Sequence, residues 1–186
     1  PHIGNVGTNF DDDESRKPFA KGIIINCDIS DPSNYRSILH LDMWLKKNNV
    51  PGICNIDTRL ITNKIRSKGA PKGGIIEGPI NRKKTAYCLK EIKKWKGLNG
   101  LDLAIDVSRK DVKIYKSKKK SKLKVVAIDY GIKQNILNCL LDLNLEVILV
   151  PAKTSAEKIL AYNPNGIFLS NGPGDPKATG KYAIPI

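Results

Sequence analysis

The 186 residues are 40% hydrophobic and carry a formal charge of +14. That is enough apolar material for one large core or two small ones, yet no apolar run approaches the roughly 20 residues of a membrane helix. Lysine outnumbers arginine 26 to 6 and is spread along the chain. The one dense run, residues 116–122, has no aromatic residues to stack on bases, so a solvated linker is the simpler reading than a nucleic-acid surface.

In chain order, residues 22–26 form a short β-branched run expected as a strand. Ile38, Leu41, Trp44 and Leu45 fall at helical spacing and Pro51-Gly52 closes that element. Residues 52–56 read as a second strand. Asp57 is placed to cap a helix carrying Leu60, Ile61 and Ile65 that Gly69 ends. A third strand is expected over 74–77. Residues 82–95 form a basic amphipathic helix whose Leu89, Ile92 and Trp95 mark a face for core packing. After the lysine run come a largely apolar strand over 123–128, a helix over 132–143, a strand over 146–150, a helix opened by a capping box at Thr154-Ser-Ala-Glu157, and a strand over 166–170. Strands that are mostly apolar rather than alternating, interleaved with helices, predict an α/β fold with a parallel sheet covered on both faces. All three strands then deliver their carboxyl ends to one edge, where open α/β sheets bind ligands. Two glycine-bearing loops arrive there, Asp129-Tyr-Gly131 and Asn171-Gly-Pro-Gly-Asp-Pro176.

The second loop is the sharpest chemical signal. Gly172 and Gly174 have no Cβ to keep a ligand from their amides, while Pro173 and Pro176 stiffen the turn. Preorganised backbone donors of this kind stabilise a developing oxyanion or hold a carboxamide; a plain Pro-Gly turn is the bland alternative. The cysteines, Cys27, Cys54, Cys88 and Cys139, are too widely spaced for a zinc site. They fit a reducing cytoplasm and read as buried small hydrophobes. Gly52-Ile-Cys54 has the start of a nucleophile elbow but lacks the following glycine and immediate helix. Cys139 falls mid-helix, with its thiol expected in packing. His2 and His40 have ordinary structural or solvated roles.

Phe168-Leu-Ser-Asn-Gly-Pro-Gly-Asp-Pro176 resembles the oxyanion-loop motif of class I glutamine amidotransferases. The segments 1–9 (PHIGNVGTN), 55–59 (NIDTR), 97–103 (GLNGLDL), 126–131 (VAIDYG) and 151–157 (PAKTSAE) resemble, in order, those of the carbamoyl-phosphate synthase small-subunit family. The likeness is weakest over 104–122. It implies a small-subunit N-terminal domain over 1–115 (incomplete at its start), a Lys-rich linker over 116–122, and over 123–186 the first part of a flavodoxin-like amidotransferase domain. The family hydrolyses glutamine and passes ammonia to a large synthetase subunit, which makes carbamoyl phosphate with ATP and Mg for arginine and pyrimidine synthesis. Gly172 would then supply an oxyanion-hole amide, and Gly172 and Gly174 would contact bound glutamine. No cofactor or metal is implied for this subunit. The family's Cys-His-Glu triad lies downstream of the Gly-Pro-Gly loop and a pocket serine lies upstream of residue 1. The chain, which starts without Met and ends on an apolar tail, is therefore expected to be an inactive piece of a longer, cytoplasmic polypeptide, a separate subunit or one fused to the synthetase. With strands missing, such a piece would expose an apolar edge and face and be marginally stable. A basic nucleic-acid-binding module and another class I amidotransferase subunit remain as alternatives.

Overall fold

The computed structural model describes residues 3–117 and 122–186. The chain forms two compact units, Pro1–Gly97 and Leu98–Ile186. The division falls earlier in the chain than the 115/116 boundary read from the sequence. Its cause is local: residues 98–115 contribute a helix and a strand to the second unit. Most of the proposed linker, 118–121, lies outside the described residues, as does His2.

In the first unit, strands β1 (Ile23–Ile24) and β2 (Gly52–Ile53) pair in parallel. They are shorter than the apolar runs that encode them. Helix α1 (Leu41–Lys47) is capped by His40, whose Nδ1 accepts the Asp42 N–H at 3.2 Å, so His40 has the structural role expected of it. Ile38, assigned to the same stripe, lies before the helix and is exposed, because the backbone at 38–39 is tied to Thr8 instead. Helix α2 (Thr58–Lys68) runs from its Asp57 cap to Gly69 at φ +78°, as its end signals dictate. Helix α3 (Arg82–Lys94) is capped by Asn81. Residues 74–77 form no strand. Ile25 and Leu45 are the buried hydrophobic residues among the described part of this unit. The apolar faces of α2 and α3 do not make a core: neither helix has a buried residue. Helical spacing specifies that a face exists, and something else must cover it.

The second unit is built on a four-stranded sheet of order β3-β5-β4-β6. Here β4 is Leu123–Asp129, β5 Leu145–Pro151 and β6 Gly166–Leu169, all parallel; β3, Lys113–Tyr115, pairs antiparallel with β5. The expected parallel sheet thus has one antiparallel edge strand that the sequence pattern did not reveal. Helices α4 (Leu103–Val107), α5 (Gln134–Asp142), α6 (Ala156–Leu160) and α7 (Pro176–Ala183) complete the unit. Side chains on alternate strand positions feed two cores. Val126, Ile128, Ile148 and Val150 pack with Ala104 of α4, Ile159 of α6 and Tyr182 and Ala183 of α7 on one face. Ala127, Val147 and Leu149 pack with Leu137 and Leu140 of α5 on the other. Both faces of the central strands are therefore covered. Apolar exposure remains along the sheet's outer strands and at the start of β4: Ile114 of β3, Leu123 of β4 and Leu169 of β6 are each about half exposed, and Ile167 of β6 is 38% exposed.

Two details differ from the sequence reading. Helix α6 is capped by Ser155 rather than Thr154, whose hydroxyl donates to the Pro151 carbonyl at 2.7 Å. The cysteines are not buried: Cys27 and Cys139 are exposed and Cys54 and Cys88 half-buried. Cys139 sits on the side of α5 opposite the Leu137 and Leu140 stripe, so mid-helix position did not mean packing.

Candidate functional site

Parallel pairing sets Asp129 beside Pro151 and Ile128 beside Leu169, so the loops after β4, β5 and β6 share one edge. The loop after β4 leads to α5 on one face, and the loop after neighbouring β6 leads to α7 on the other. Adjacent strands whose connections diverge in this way create the position where α/β sheets bind ligands. Both expected loops, 129–131 and 171–176, are there.

Asp129 organises the first loop. Its buried carboxylate accepts from Gly131 N–H and Ile132 N–H, each at 3.0 Å through Oδ1, and from Arg109 N–H at 2.9 Å through Oδ2. One side chain thus turns the chain out of β4 toward α5 and holds the segment before β3. The two loops are joined by Ser170, also buried, whose Oγ accepts the Tyr130 N–H at 3.0 Å and donates to the Asn171 carbonyl at 3.0 Å.

Gly172 and Gly174 are glycines for different reasons. At Gly172 the requirement is close approach: a Cβ would stand 2.2 Å from the Tyr130 carbonyl oxygen. At Gly174 φ is +97° and a Cβ would meet the Leu101 carbonyl oxygen at 2.7 Å and the Leu103 nitrogen at 2.9 Å, so both conformation and space exclude a side chain. The Pro173 ring lies over Gly131, where a Cβ would come to 3.2 Å of Pro173 Cδ and 2.9 Å of Val107 Cγ2. Both Gly172 and Gly174 are exposed, and neither of their N–H groups donates to an acceptor among the described residues. Two unpaired amides are held on stiff backbone at the sheet edge.

Behind the loop, Asp175 caps α7, with Pro176 in the first turn. The Gly100 and Lys177 N–H groups on its carboxyl hold that group below its ordinary acidity constant. Tyr182 donates its hydroxyl to Asp102 Oδ1 at 2.8 Å; burial first, then this bond, pushes its phenol up to about 12. The Tyr130 and Tyr182 rings pack with centroids 6.0 Å apart, and burial raises the Tyr130 phenol as well.

The sequence reading missed Gly100, Asp102, Asp129 and Asp175 as supports. Only Asp175 had a local signal, an N-cap residue followed by proline at the first helical position. Cys54 does not have the character of an activated nucleophile. Its thiol donates to Asp28 Oδ1 at 3.0 Å, and that bond is the chief cause of its raised pKa, the opposite of what thiolate chemistry needs. Among the described residues no group of three His, Cys, Asp or Glu side chains is placed to hold a metal ion, and no helix is long and apolar enough to cross a membrane.

Comparison with known proteins agrees with this architecture. Residues 1–75 match the family model of the carbamoyl-phosphate synthase small chain, CPSase domain, and residues 126–185 match that of class I glutamine amidotransferases. The chain is 45% identical over 203 aligned residues to the carbamoyl phosphate synthase small chain of Agrobacterium fabrum. It is 48% identical over 202 to that of Bradyrhizobium diazoefficiens. Each alignment covers 100% of this chain and 51% of the relative. The chain therefore spans about half the length of the curated relatives it matches.

Proposed function

From a chain whose residues 1–75 belong to the carbamoyl-phosphate synthase small-chain family and whose residues 126–185 belong to the class I glutamine amidotransferases, we propose that its site forms part of a glutaminase centre. The observation that carries this reading is the pair of unpaired amides at Gly172 and Gly174, fixed at the carboxyl edge of the sheet. An amide substrate presents a carbonyl oxygen that becomes an oxyanion when a nucleophile attacks. A donor already in place stabilises that charge without reorganisation, and loss of one such donor lowers turnover by about 10²–10³-fold. Gly172 N–H is the oxyanion donor, and Gly172 and Gly174 together hold glutamine.

On this reading the attacking thiol, its histidine base and the carboxylate that orients the base come from another part of the whole protein. The protonated, Asp28-bonded Cys54 supports that division. In the whole protein the reaction yields glutamate and ammonia, and the ammonia reaches a large synthetase subunit. That subunit holds ATP and Mg and forms carbamoyl phosphate for arginine and pyrimidine synthesis in the cytoplasm. This subunit itself needs no cofactor.

The test is glutamate release by the full-length gene product, with carbamoyl phosphate formation measured after its large subunit is added. Turnover of glutamine by the first and glutamine-dependent synthesis by the pair are expected. The 186-residue chain alone is expected to release none; steady turnover by it that Cys54→Ala abolishes would overturn the assignment.

A further inference from the structure

The loop at 171–175 is held from a second side by residues 100–103, a segment to which the functional reading gives no role. Asp175 N–H donates to the Leu101 carbonyl at 3.0 Å. The two oxygens of the Asp175 carboxylate take different amides: Oδ2 accepts from Gly100 N–H at 2.8 Å and Oδ1 from Lys177 N–H at 2.9 Å. Gly174 backs directly onto Leu101 and Leu103. Farther along, Tyr182 of α7 is fastened to Asp102. Residues 100–103 thus grip the loop and the helix that follows it at four places.

We propose that Asp175 is the positioning residue of the substrate loop, its carboxylate tethering Gly172 and Gly174 to residues 100–103 so that their amides keep their place at the sheet edge. Both oxygens of the Asp175 carboxylate are in use. Capping α7 needs a single acceptor, which serine or asparagine supplies as well as aspartate. The bond to Gly100, 75 residues away in sequence, contributes nothing to the helix. Its effect is to fix the point where the glycine loop meets α7. Bonds of this charge-assisted kind are stronger and geometrically stricter than neutral ones. A misplacement of about 1 Å in a reacting constellation lowers the rate by about 10²-fold. Asp175 acts on the reaction through the two glycine amides, without touching substrate. This role rests on the glutaminase reading of those amides.

The test compares wild type, Asp175→Ser and Asp175→Asn in the full-length gene product, by steady-state glutamate release and thermal unfolding. Serine keeps the α7 cap and cannot also reach Gly100. Its kcat is expected to fall by about tenfold to hundredfold, with KM changed far less, the pattern of an interaction made in the transition state. Its melting temperature is expected to stay close to wild type. Asparagine keeps the shape and one acceptor, so its kcat is expected to lie between the two. A purely structural role would lower the melting temperature and leave kcat of the folded protein unchanged. Wild-type kcat and KM in the folded serine variant would overturn the role. If that variant does not fold, wild-type constants in the asparagine variant would overturn it. Wild-type protein that releases no glutamate would overturn the glutaminase reading and this role with it; an active wild type with unimpaired variants overturns the role alone.

Discussion

The Gly172 backbone rests against the carbonyl of Tyr130, leaving 2.2 Å where a Cβ would have to fit. Neither partner is a flexible side-chain tip, so a methyl group at 172 must displace one loop or the other. Gly172→Ala in the full-length protein is expected to lower kcat for glutamate release by roughly 10²-fold. Gly174→Ala, which adds backbone strain at φ +97°, is expected also to destabilise by about 1–3 kcal/mol. Steady-state kinetics and chemical denaturation of the two variants separate these effects.

Asp129 is buried and satisfies three backbone amides. Asp129→Ala leaves all three donors without that acceptor, and destabilisation of about 3 kcal/mol or more is expected. Asp129→Asn retains one acceptor oxygen and should recover part of the loss. The urea midpoints of the two variants, compared at equal m-value, provide the measurement.

The Tyr182 phenol is raised to about 12 by burial and by its bond to Asp102. A raised pKa means the neutral form is favoured in the fold. The stabilisation is therefore complete below the ordinary phenol value of 10.0 and is lost as pH rises from there through about 12. The 295 nm titration difference between wild type and Tyr182→Phe should show this late ionisation. Asp102→Asn should move it down only in part, since burial is the larger cause.

Cys54 is expected to be a slow thiol. Its hydrogen bond to Asp28 and the neighbouring carboxylate charge both disfavour thiolate. Alkylation by iodoacetamide, followed at each cysteine by mass spectrometry, should be faster at exposed Cys139 than at Cys54. Asp28→Asn should accelerate Cys54, and Cys54→Ala should leave glutamate release by the full-length protein unaltered. Faster labelling of Cys54 than Cys139 in the wild type would contradict this account.

Much of the architecture was legible because its signals are local. Asp57 and Gly69 bracket α2 by cap chemistry and positive φ. The apolar runs 125–128 in β4 and 147–150 in β5 mark strands buried on both faces, and the glycines of the 171–176 loop mark backbone that must lie close to something. What lies close was not legible. Tyr130 and Leu101 reach Gly172 and Gly174 from far along the chain, and no local spacing encodes such meetings. The same holds for β3: Lys113-Ile-Tyr115 contains strand-favouring residues but is too short a run to announce a strand by itself, and its partner is the distant edge of β5. At α3 the reverse occurred. Leu89 within the helix and Trp95 at its C-cap were read as one packing face, yet they remain 53% and 41% exposed. Periodicity describes one helix and is silent on whether a partner is packed against it.

The attachment of residues 98–115 to the second unit determines where an independently folding piece can be excised. A polypeptide begun at Leu123, at the first apolar strand, would strip β5 of its antiparallel neighbour and remove the wall behind Gly174 together with the amide that holds Asp175. A polypeptide begun at Leu98 keeps all three.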